Sequence, residues 1–277
     1  CIKGIVMKTG IVIQARRSST RLKDKILMEL PAGSGISMLV RVIMRAKKVC
    51  DNVILATSDN QDDDLTEQEA LKYGADVFRG SLDDVLMRYI KACEKYGIER
   101  VVRITADCPC IDDEVIKECI KIHENSSADY VSNVEKRTFP HGLDTEVITL
   151  AALKRTDREE KDVKVREHVT WHARKNDSYI KIDFLEKSGH DYSDIRITVD
   201  TYEDYALMNI VYFMLGSDFN YKDIINLFEK NKWLKILNNQ IYQKYVWKNE
   251  QEEIAEALKL LKLNGMNNAF KLLERNQ

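Results

Sequence analysis

The feature that most constrains the fold is a regular alternation of short apolar runs with longer amphipathic stretches in the first part of the chain. The apolar runs have the length and composition of buried strands, and they lie at residues 11–13, 53–56, 76–78 and 101–105. Between them, apolar residues recur at helical spacing over about residues 36–49, 62–73 and 81–97. Because strands that alternate with helices pair in parallel through right-handed crossovers, the pattern predicts an α/β domain with a mainly parallel sheet.

The second part of the chain continues the pattern up to about residue 215 and then loses it. Further strands are predicted at residues 128–132, 143–148, 179–185 and 194–199, and helices from residue 112, over 163–175 and over 202–215. Beyond this point only short helical stretches are indicated. We therefore predict a sheet domain over residues 7–215 and a helical C-terminal extension over residues 216–277. Met7 has the character of a natural start, so residues 1–6 are expected to be extra sequence.

Composition disfavours several classes of protein. The net charge of −2 gives no broad electrostatic field for nucleic acid, and no apolar run reaches the roughly 18 residues that a membrane span requires. The six cysteines lack zinc-site spacing and suit reduced, buried thiols in a cytoplasmic protein. The aromatic residues of the extension, among them Tyr242, Tyr245 and Trp247, suit a core or a subunit interface better than a nucleic-acid surface.

A basic, hydroxyl-rich loop follows the first predicted strand and occupies residues 14–24. It contains Arg16 and Arg21, ends at Lys25, and carries serine and threonine hydroxyls between the cations. Loops at the carboxyl ends of parallel strands bind phosphate groups, because backbone N–H groups and basic side chains face the ligand there. The position of the loop and the spacing of its cations favour a triphosphate site over the alternative, a solvated surface turn.

Two carboxylates stand just beyond predicted strands. Asp107 follows the strand at residues 101–105, and Asp200 follows the strand at residues 194–199. Aspartates at neighbouring strand ends, opposite a cluster of cations, suit a Mg²⁺ ion that bridges nucleotide phosphates. Two simpler roles are kept as alternatives: Asp107 as a turn carboxylate, and Asp200 as the cap of the helix that begins near Tyr202. The sequence contains no nucleophile elbow, HExxH motif or Walker lysine, which disfavours covalent catalysis and P-loop hydrolysis.

Five motifs resemble, in the same order, those of the cytidylyltransferases that activate acidic sugars, the Kdo and acylneuraminate type, and in particular the SpsF branch of spore-coat polysaccharide biosynthesis. They are QARRSSTRLKDK at residues 14–25, RITADCP at 103–109, FPHGLDTEV at 139–147, REHVT at 166–170 and VDTYED at 199–204. The chain departs from the family pattern at Lys23-Asp24 and at Tyr202, where the family usually has Pro-Gly and proline. The resemblance implies a Rossmann-like, GT-A-like nucleotidyltransferase domain. It also implies transfer of CMP from CTP to a sugar, an acidic nonulosonate- or Kdo-like one, with release of pyrophosphate.

The resemblance further implies two binding sites. The implied nucleotide site consists of Gln14, Ala15, Arg16, Ser18, Ser19, Arg21, Lys25, Thr57, Ser58, Arg79, Ser81 and Asp84. The implied acceptor site consists of Arg103, His141, Gly142, Asp144, Glu146, Arg166 and His168. For Ser81 and Asp84, capping of the following helix is an equally open role.

The same resemblance assigns the catalytic centre. It makes Asp107 and Asp200 the ligands of Mg²⁺, with Arg16 and Lys25 acting beside them on the triphosphate. Asp204 also matches a family motif, but in the first turn of a helix it is expected to offset the helix dipole.

Two rival functions are kept open. A GT-A-type glycosyltransferase would use a nucleotide-sugar donor and release a nucleoside diphosphate, but the DxD motif that is usual in such enzymes is matched poorly here. A non-catalytic scaffold protein is disfavoured because the basic loop and both aspartates are intact. The expected partners are CTP and a sugar acceptor, without nucleic acid, and a homodimer is plausible because of the helical extension.

Overall fold

The computed structural model of the protein describes residues 7–17, 21–241 and 250–275. Contacts divide the chain into two units, Cys1–Ile241 and Tyr242–Gln277. The predicted boundary lies after residue 215, whereas in the structure the residues up to 241 belong with the sheet. The reason is burial: Ile224 and Phe228 are fully buried in the same apolar cluster as residues of the sheet.

The first unit is built on one sheet. Among the described residues, seven strands form this sheet in the order β3-β2-β1-β4-β6-β5-β7. Their bounds are β1 Thr9–Gln14, β2 Val53–Ser58, β3 Asp76–Gly80, β4 Arg100–Thr105, β5 Tyr130–Ser132, β6 Glu146–Thr149 and β7 Lys181–Asp183. Strand β6 runs antiparallel to β4 and β5, and every other neighbouring pair is parallel. The predicted α/β fold with a mainly parallel sheet is thereby confirmed.

Helices connect and cover the strands. In the described part of the chain they are α1 Met38–Lys47, α2 Asp64–Lys72, α3 Val85–Tyr96, α4 Asp113–Glu124, α5 Leu150–Glu159, α6 Val163–Glu167, α7 Trp171–Lys175, α8 Tyr202–Leu215, α9 Tyr221–Lys230, α10 Glu250–Leu263 and α11 Asn267–Arg275. The last two form the described part of the second unit, so a helical C-terminal part is present as predicted. The extension's aromatic residues Tyr242, Tyr245 and Trp247 lie outside the described residues, as do residues 1–6.

The core lies on both faces of the sheet. Side chains alternate along β1, so that Ile11 and Ile13 enter one apolar cluster and Val12 enters another on the opposite face. A strand that is covered on both faces needs apolar residues at every position. This requirement explains the apolar runs of β1 and β2 and the mainly apolar run of β4, which Arg103 interrupts.

Two predicted elements differ in the structure. Residues 194–199 do not form a strand; they run extended beside the sheet and make only an isolated parallel bridge, between His141 and Arg196. The predicted helix over 163–175 is divided into α6 and α7 at Val169, a buried residue with a left-handed φ of 50°. A β-branched residue rarely adopts that conformation, and local sequence patterns therefore did not indicate the break.

The cysteines agree with one expectation from composition. Cys93, Cys108, Cys110 and Cys119 are buried free thiols, and Cys50 is a half-buried one. None of the helices in the described ranges has the length and apolar character that crossing a membrane would need.

His123 gives the fold a testable pH dependence. It is buried on α4, and its Nδ1 accepts a hydrogen bond of 3.1 Å from Nε of Arg100. Burial, together with the charge of Arg100, lowers the pKa of His123 to about 4. Between about pH 6.5 and pH 4, His123 is therefore protonated in the unfolded chain and neutral in the folded chain. The free energy of unfolding falls as the pH drops towards 4. The loss attributable to this residue should reach up to about 3 kcal/mol.

We expect His123→Gln, which keeps an acceptor for Arg100, to remove this part of the pH dependence. The measurement is the urea-derived free energy of unfolding between pH 7 and pH 4. His190→Gln, at an exposed position, serves as the control and should behave like the wild type. Identical pH profiles for wild type and His123→Gln would contradict the assignment.

Candidate active site

The candidate site lies at the carboxyl ends of β1 and β4. These two strands are parallel neighbours, with Gln14 opposite Thr105 at their last paired position. The strand order runs from β1 through β2 to β3 on one side and continues from β4 on the other. Such a reversal leaves a crevice at the strand ends, which is where open α/β sheets bind ligands.

Lys25 is the centre of this crevice. It begins a short 3₁₀ helix, Lys25–Leu27, after the basic loop. Its Nζ donates to Oδ2 of Asp107 at 3.0 Å, to Oδ1 of Asp200 at 2.9 Å and to the carbonyl oxygen of Val199 at 2.8 Å. Arg21 adds a second cation, with Nη2 3.0 Å from Oδ1 of Asp200. The structure thus brings together four of the predicted site residues from three distant parts of the chain.

The charges of this cluster support one another. Burial opposes the charged form of Lys25, but the two neighbouring carboxylates outweigh it and raise the pKa of Lys25. Burial likewise disfavours both carboxylates, and the ammonium group of Lys25 nevertheless lowers the pKa of Asp107 and of Asp200. All three groups are therefore charged at neutral pH, in a place where the lysine side chain is only 10% exposed.

Arg196 fixes Asp200 from the other side. Its Nη2 donates to Oδ2 of Asp200 at 2.9 Å, and it also pairs with both carboxylate oxygens of Asp204. Asp204 is fully buried and accepts from the backbone N–H of Asp200 at 2.9 Å and from Nδ2 of Asn238 at 2.8 Å. Thr201, rather than Asp200, caps α8, and Asp204 completes that capping box. Asp204 therefore does more than offset the helix dipole, because it buttresses Asp200.

Arg196 and Asn238 were not predicted. Arg196 carries one signal that sequence reasoning could have used, since it precedes Asp200 by four residues within the same buried segment. Asn238 carries none, because it comes from beyond the predicted domain boundary and reaches Asp204 only through the fold.

The rest of the basic loop makes other contacts. Nη2 of Arg16 lies 2.7 Å from Oε1 of Glu167 on α6, so this arginine is not with Lys25 and Arg21 at the aspartates. Ala15 is buried, and Oε1 of Gln14 accepts from Nη2 of Arg103 at 3.2 Å. The predicted nucleotide contacts Ser18 and Ser19 lie outside the described residues.

The predicted nucleotide residues at the ends of β2 and β3 are largely engaged with the protein. Thr57 is buried, and its Oγ1 has no hydrogen-bond partner within the described ranges. The hydroxyl of Ser58 donates to Asp63. Arg79 pairs through Nη1 with Asp64 at 2.6 Å and with Glu67 at 2.9 Å.

The loop after β3 shows helix capping. Oδ1 of Asp84 accepts from the backbone N–H of Met87 and caps α3, while Oγ of Ser81 accepts from the N–H of Asp84. Asp84 also pairs with Arg166 at 2.7 Å, so a predicted nucleotide residue and a predicted acceptor residue hold each other. Capping is therefore the observed role of Asp84, and a direct contact with substrate would require exchange of Arg166.

Two of the predicted acceptor residues, Asp144 and Glu146, are carboxylates that pair with arginines of the protein. Glu146 is buried and paired with Arg103, and it also accepts from the hydroxyl of Tyr130 at 2.6 Å. Arg137 binds both oxygens of Asp144, at 2.5 and 2.9 Å. Despite burial, this arginine lowers the pKa of Asp144 to about 2.

The two predicted histidines, His141 and His168, form no ion pair with the described residues. His141 is half-buried, and its Nδ1 lies 3.4 Å from Nη1 of Arg196. His168 is exposed and makes no side-chain hydrogen bond to any of the described residues. Burial lowers the pKa of His141, so its imidazole is neutral at neutral pH.

Gly142 allows the segment of residues 139–147 to approach the extended segment that ends in Asp200. Its φ is +118°, and a Cβ at this position would lie 2.7 Å from the backbone carbon of Ile197 and from the backbone nitrogen of Thr198. A residue with a side chain does not fit at this contact unless one of the two backbone segments moves. The contact places His141 beside the extended segment that ends in Asp200.

The residues present fit a divalent cation. Asp107 and Asp200 face a single nitrogen atom from 3.0 and 2.9 Å, and carboxylate oxygens are the ligands that Mg²⁺ prefers. In the described part of the chain, no group of three or more His, Cys, Asp or Glu side chains is arranged to hold a metal ion. A cation bound by the two aspartates would therefore take its remaining ligands from water and from a phosphate-bearing substrate, as is usual for Mg²⁺.

Comparisons with known proteins point to one family. A family model described as cytidylyltransferase matches residues 10–254. The spore coat polysaccharide biosynthesis protein SpsF of Bacillus subtilis is 32% identical over 227 residues, which cover 79% of this chain and 93% of that protein. A cytidylyltransferase structure from Leptospira borgpetersenii has a TM-score of 0.79 and 34% identity, covering 86% of this chain and 100% of that one. The 3-deoxy-manno-octulosonate cytidylyltransferase of Rhizobium etli is 30% identical over 142 residues, covering 47% of this chain and 55% of that protein.

Gly142 offers a test of the packing that shapes the site. Gly142→Ala combines an unfavourable φ with an overlap against backbone atoms that cannot turn aside. Gly189→Ala is the matched control, because its φ is +79° and nothing lies within 4 Å of the added carbon. We expect the control to lose about 1–2 kcal/mol of unfolding free energy from the backbone conformation alone. Gly142→Ala should lose about 1–3 kcal/mol more from the overlap, measured by urea unfolding. Equal losses would show that the close approach is not required.

Proposed function

The chain belongs to the cytidylyltransferase family, and from this membership we propose that it transfers CMP from CTP to a sugar acceptor and releases pyrophosphate. The observation that supports the proposal is the meeting of two basic side chains, Lys25 and Arg21, with Asp107 and Asp200 at the switch point of the sheet. Cations that can neutralise a triphosphate and carboxylates that can hold a divalent cation are the two components that nucleotidyl transfer requires.

The reaction is an in-line displacement. The acceptor hydroxyl oxygen attacks the α-phosphorus of CTP, the bond from that phosphorus to the bridging oxygen breaks, and pyrophosphate leaves while the hydroxyl proton passes to solvent. Lys25, Arg21 and Arg16 bind the triphosphate and stabilise the charge that develops on the leaving group. For this, Arg16 exchanges Glu167 for phosphate oxygens. The chain's contribution is thus mainly positioning and charge neutralisation.

We further propose that Asp107 and Asp200 hold Mg²⁺. When bound, this ion would polarise the α-phosphate and lower the pKa of the acceptor hydroxyl. Arg196 keeps Asp200 oriented for the role, because it occupies the carboxylate oxygen that faces away from Lys25.

The acceptor that we propose is an acidic sugar of the nonulosonate or Kdo type, used in a surface polysaccharide or glycan. The support comes from the names of two relatives, a spore coat polysaccharide biosynthesis protein and a 3-deoxy-manno-octulosonate cytidylyltransferase. Among the predicted acceptor residues, the charged side chains of Arg103, Asp144, Glu146 and Arg166 are held in ion pairs within the protein. The side chains of His141 and His168 are in no such pair within the described part of the chain, so we assign the first contacts with the sugar to them. The buried free thiols suit a reaction in the cytoplasm.

The rival reaction, glycosyl transfer from a nucleotide sugar, has less support. Family membership favours the cytidylyltransferase, and the two reactions differ in their products: pyrophosphate in one case and a nucleoside diphosphate in the other.

The decisive experiment is pyrophosphate release from each of the four nucleoside triphosphates in the presence of a panel of acidic sugars and Mg²⁺. We expect release with CTP and one class of acidic sugar. Asp107→Ala should reduce the rate at least about 100-fold, because it removes a proposed metal ligand, and should leave the fold intact. Asp218→Ala, whose side chain is 91% exposed, is the control and should keep full activity. Near-normal pyrophosphate release by Asp107→Ala would refute the assigned role, and release of a nucleoside diphosphate from a nucleotide sugar would refute the reaction.

A further inference from the structure

We propose that Lys25 is a displaceable counter-ion that occupies the place of the divalent cation between Asp107 and Asp200, so that cation and nucleotide bind together and not singly. The inference deepens the proposed function and rests on it, since it concerns how the same site becomes loaded.

The hydrogen bonds of Lys25 define the place that it occupies. An ammonium group has three donors, and here all three are used: one on each aspartate and one on the carbonyl oxygen of Val199. The lysine has no donor left for a phosphate group while it keeps these partners. A divalent cation held by the same two carboxylates would lie close to the ammonium nitrogen, and the two positive charges would repel each other in a poorly solvated pocket. Metal binding therefore requires Lys25 to leave.

The departure of Lys25 requires an acceptor elsewhere. The side chain is 10% exposed, so an ammonium group that moved away without a new partner would lose three charge-assisted or polar hydrogen bonds in a buried setting. The triphosphate of a nucleotide supplies replacement oxygens and negative charge. The same argument applies to Arg21, because it pairs with the Asp200 oxygen that also faces Lys25. Nucleotide binding should thus draw Lys25 and Arg21 away from the aspartates and free these for the divalent cation. By the same coupling, the bound cation should strengthen nucleotide binding by an equal factor.

The carboxylates themselves do not need to move in this exchange. Arg196 holds Oδ2 of Asp200, and Asp204 accepts from the backbone N–H of the same residue. Asp107 is held through its backbone, whose carbonyl oxygen accepts from the N–H of Val199 at 2.8 Å. With these supports in place, removing the charge of Lys25 leaves a ready two-carboxylate site.

The test is Mn²⁺ binding by the full chain without nucleotide, read from the electron paramagnetic resonance signal of free Mn²⁺. Lys25→Met should bind one Mn²⁺ at least 10-fold more tightly than the wild type. Asp107→Asn added to Lys25→Met should abolish the gain, because it removes one of the two negative charges that hold the cation. Lys48→Met is the matched control: it also deletes one lysine charge, at a side chain that is 46% exposed, and should bind Mn²⁺ like the wild type.

Lys25→Gln is the second variant, to be used if Lys25→Met does not fold, since it keeps a hydrogen-bond donor but carries no charge. Folded Lys25→Met or Lys25→Gln protein that binds Mn²⁺ no more tightly than Lys48→Met would overturn the proposal. If the wild-type protein releases pyrophosphate with CTP and the Lys25 variants show no gain in Mn²⁺ affinity, the proposed function stands and this inference is wrong. If the Lys25 variants gain Mn²⁺ affinity but the wild-type protein shows no CTP-dependent pyrophosphate release, this inference stands and the proposed function is wrong.

Discussion

A buried ammonium group shared by two carboxylates joins the parts of the chain on which the candidate site depends. Lys25 belongs to the loop after β1, Asp107 to the end of β4, and Asp200 to an extended segment that is not a strand of the sheet. Each charge alone would be costly at this level of burial, and together they compensate one another. The fold brings the three segments to one edge, and their opposite charges then fix the arrangement that a charged ligand meets.

The fold was readable because burial on both faces of a parallel sheet leaves an unambiguous mark. The runs that form β1 and β2 are apolar over residues 11–13 and 53–56, the run that forms β4 is apolar over residues 101–105 apart from Arg103 and Thr105, and the helices between them carry apolar residues on one side. The signal failed where burial does not determine the backbone partner. In the segment 194–199, the buried residues Ile195, Ile197 and Val199 alternate with polar ones as in a strand, yet the segment makes only one bridge. The break at Val169 depends on a single left-handed residue, and no local pattern encodes it.

The site was readable where function places unusual residues at strand ends, and unreadable where tertiary structure supplies a partner. Lys25, Asp107 and Asp200 stand in motifs directly after apolar runs, which is a position that sequence can reveal. Arg16 and Arg166 differ from these residues because Glu167 and Asp84 pair with them, and ion pairs between positions that are distant in sequence leave no periodicity in it. The roles of these residues follow from the family resemblance. The pattern of strands by itself predicts only that they meet at the carboxyl ends of the strands.

Asn238 has a practical consequence for anyone shortening this protein. A fragment that stopped after α8 would keep all seven strands that the described residues form and all five sequence motifs, and would look complete from its motifs alone. It would nevertheless lose the amide that donates to Asp204 and to the carbonyl oxygen of Arg196, and with it one support of the Asp200 carboxylate. A piece that retains this geometry around Asp200 therefore has to include the residues up to 241, even though none of the described residues after Leu215 takes part in the sheet.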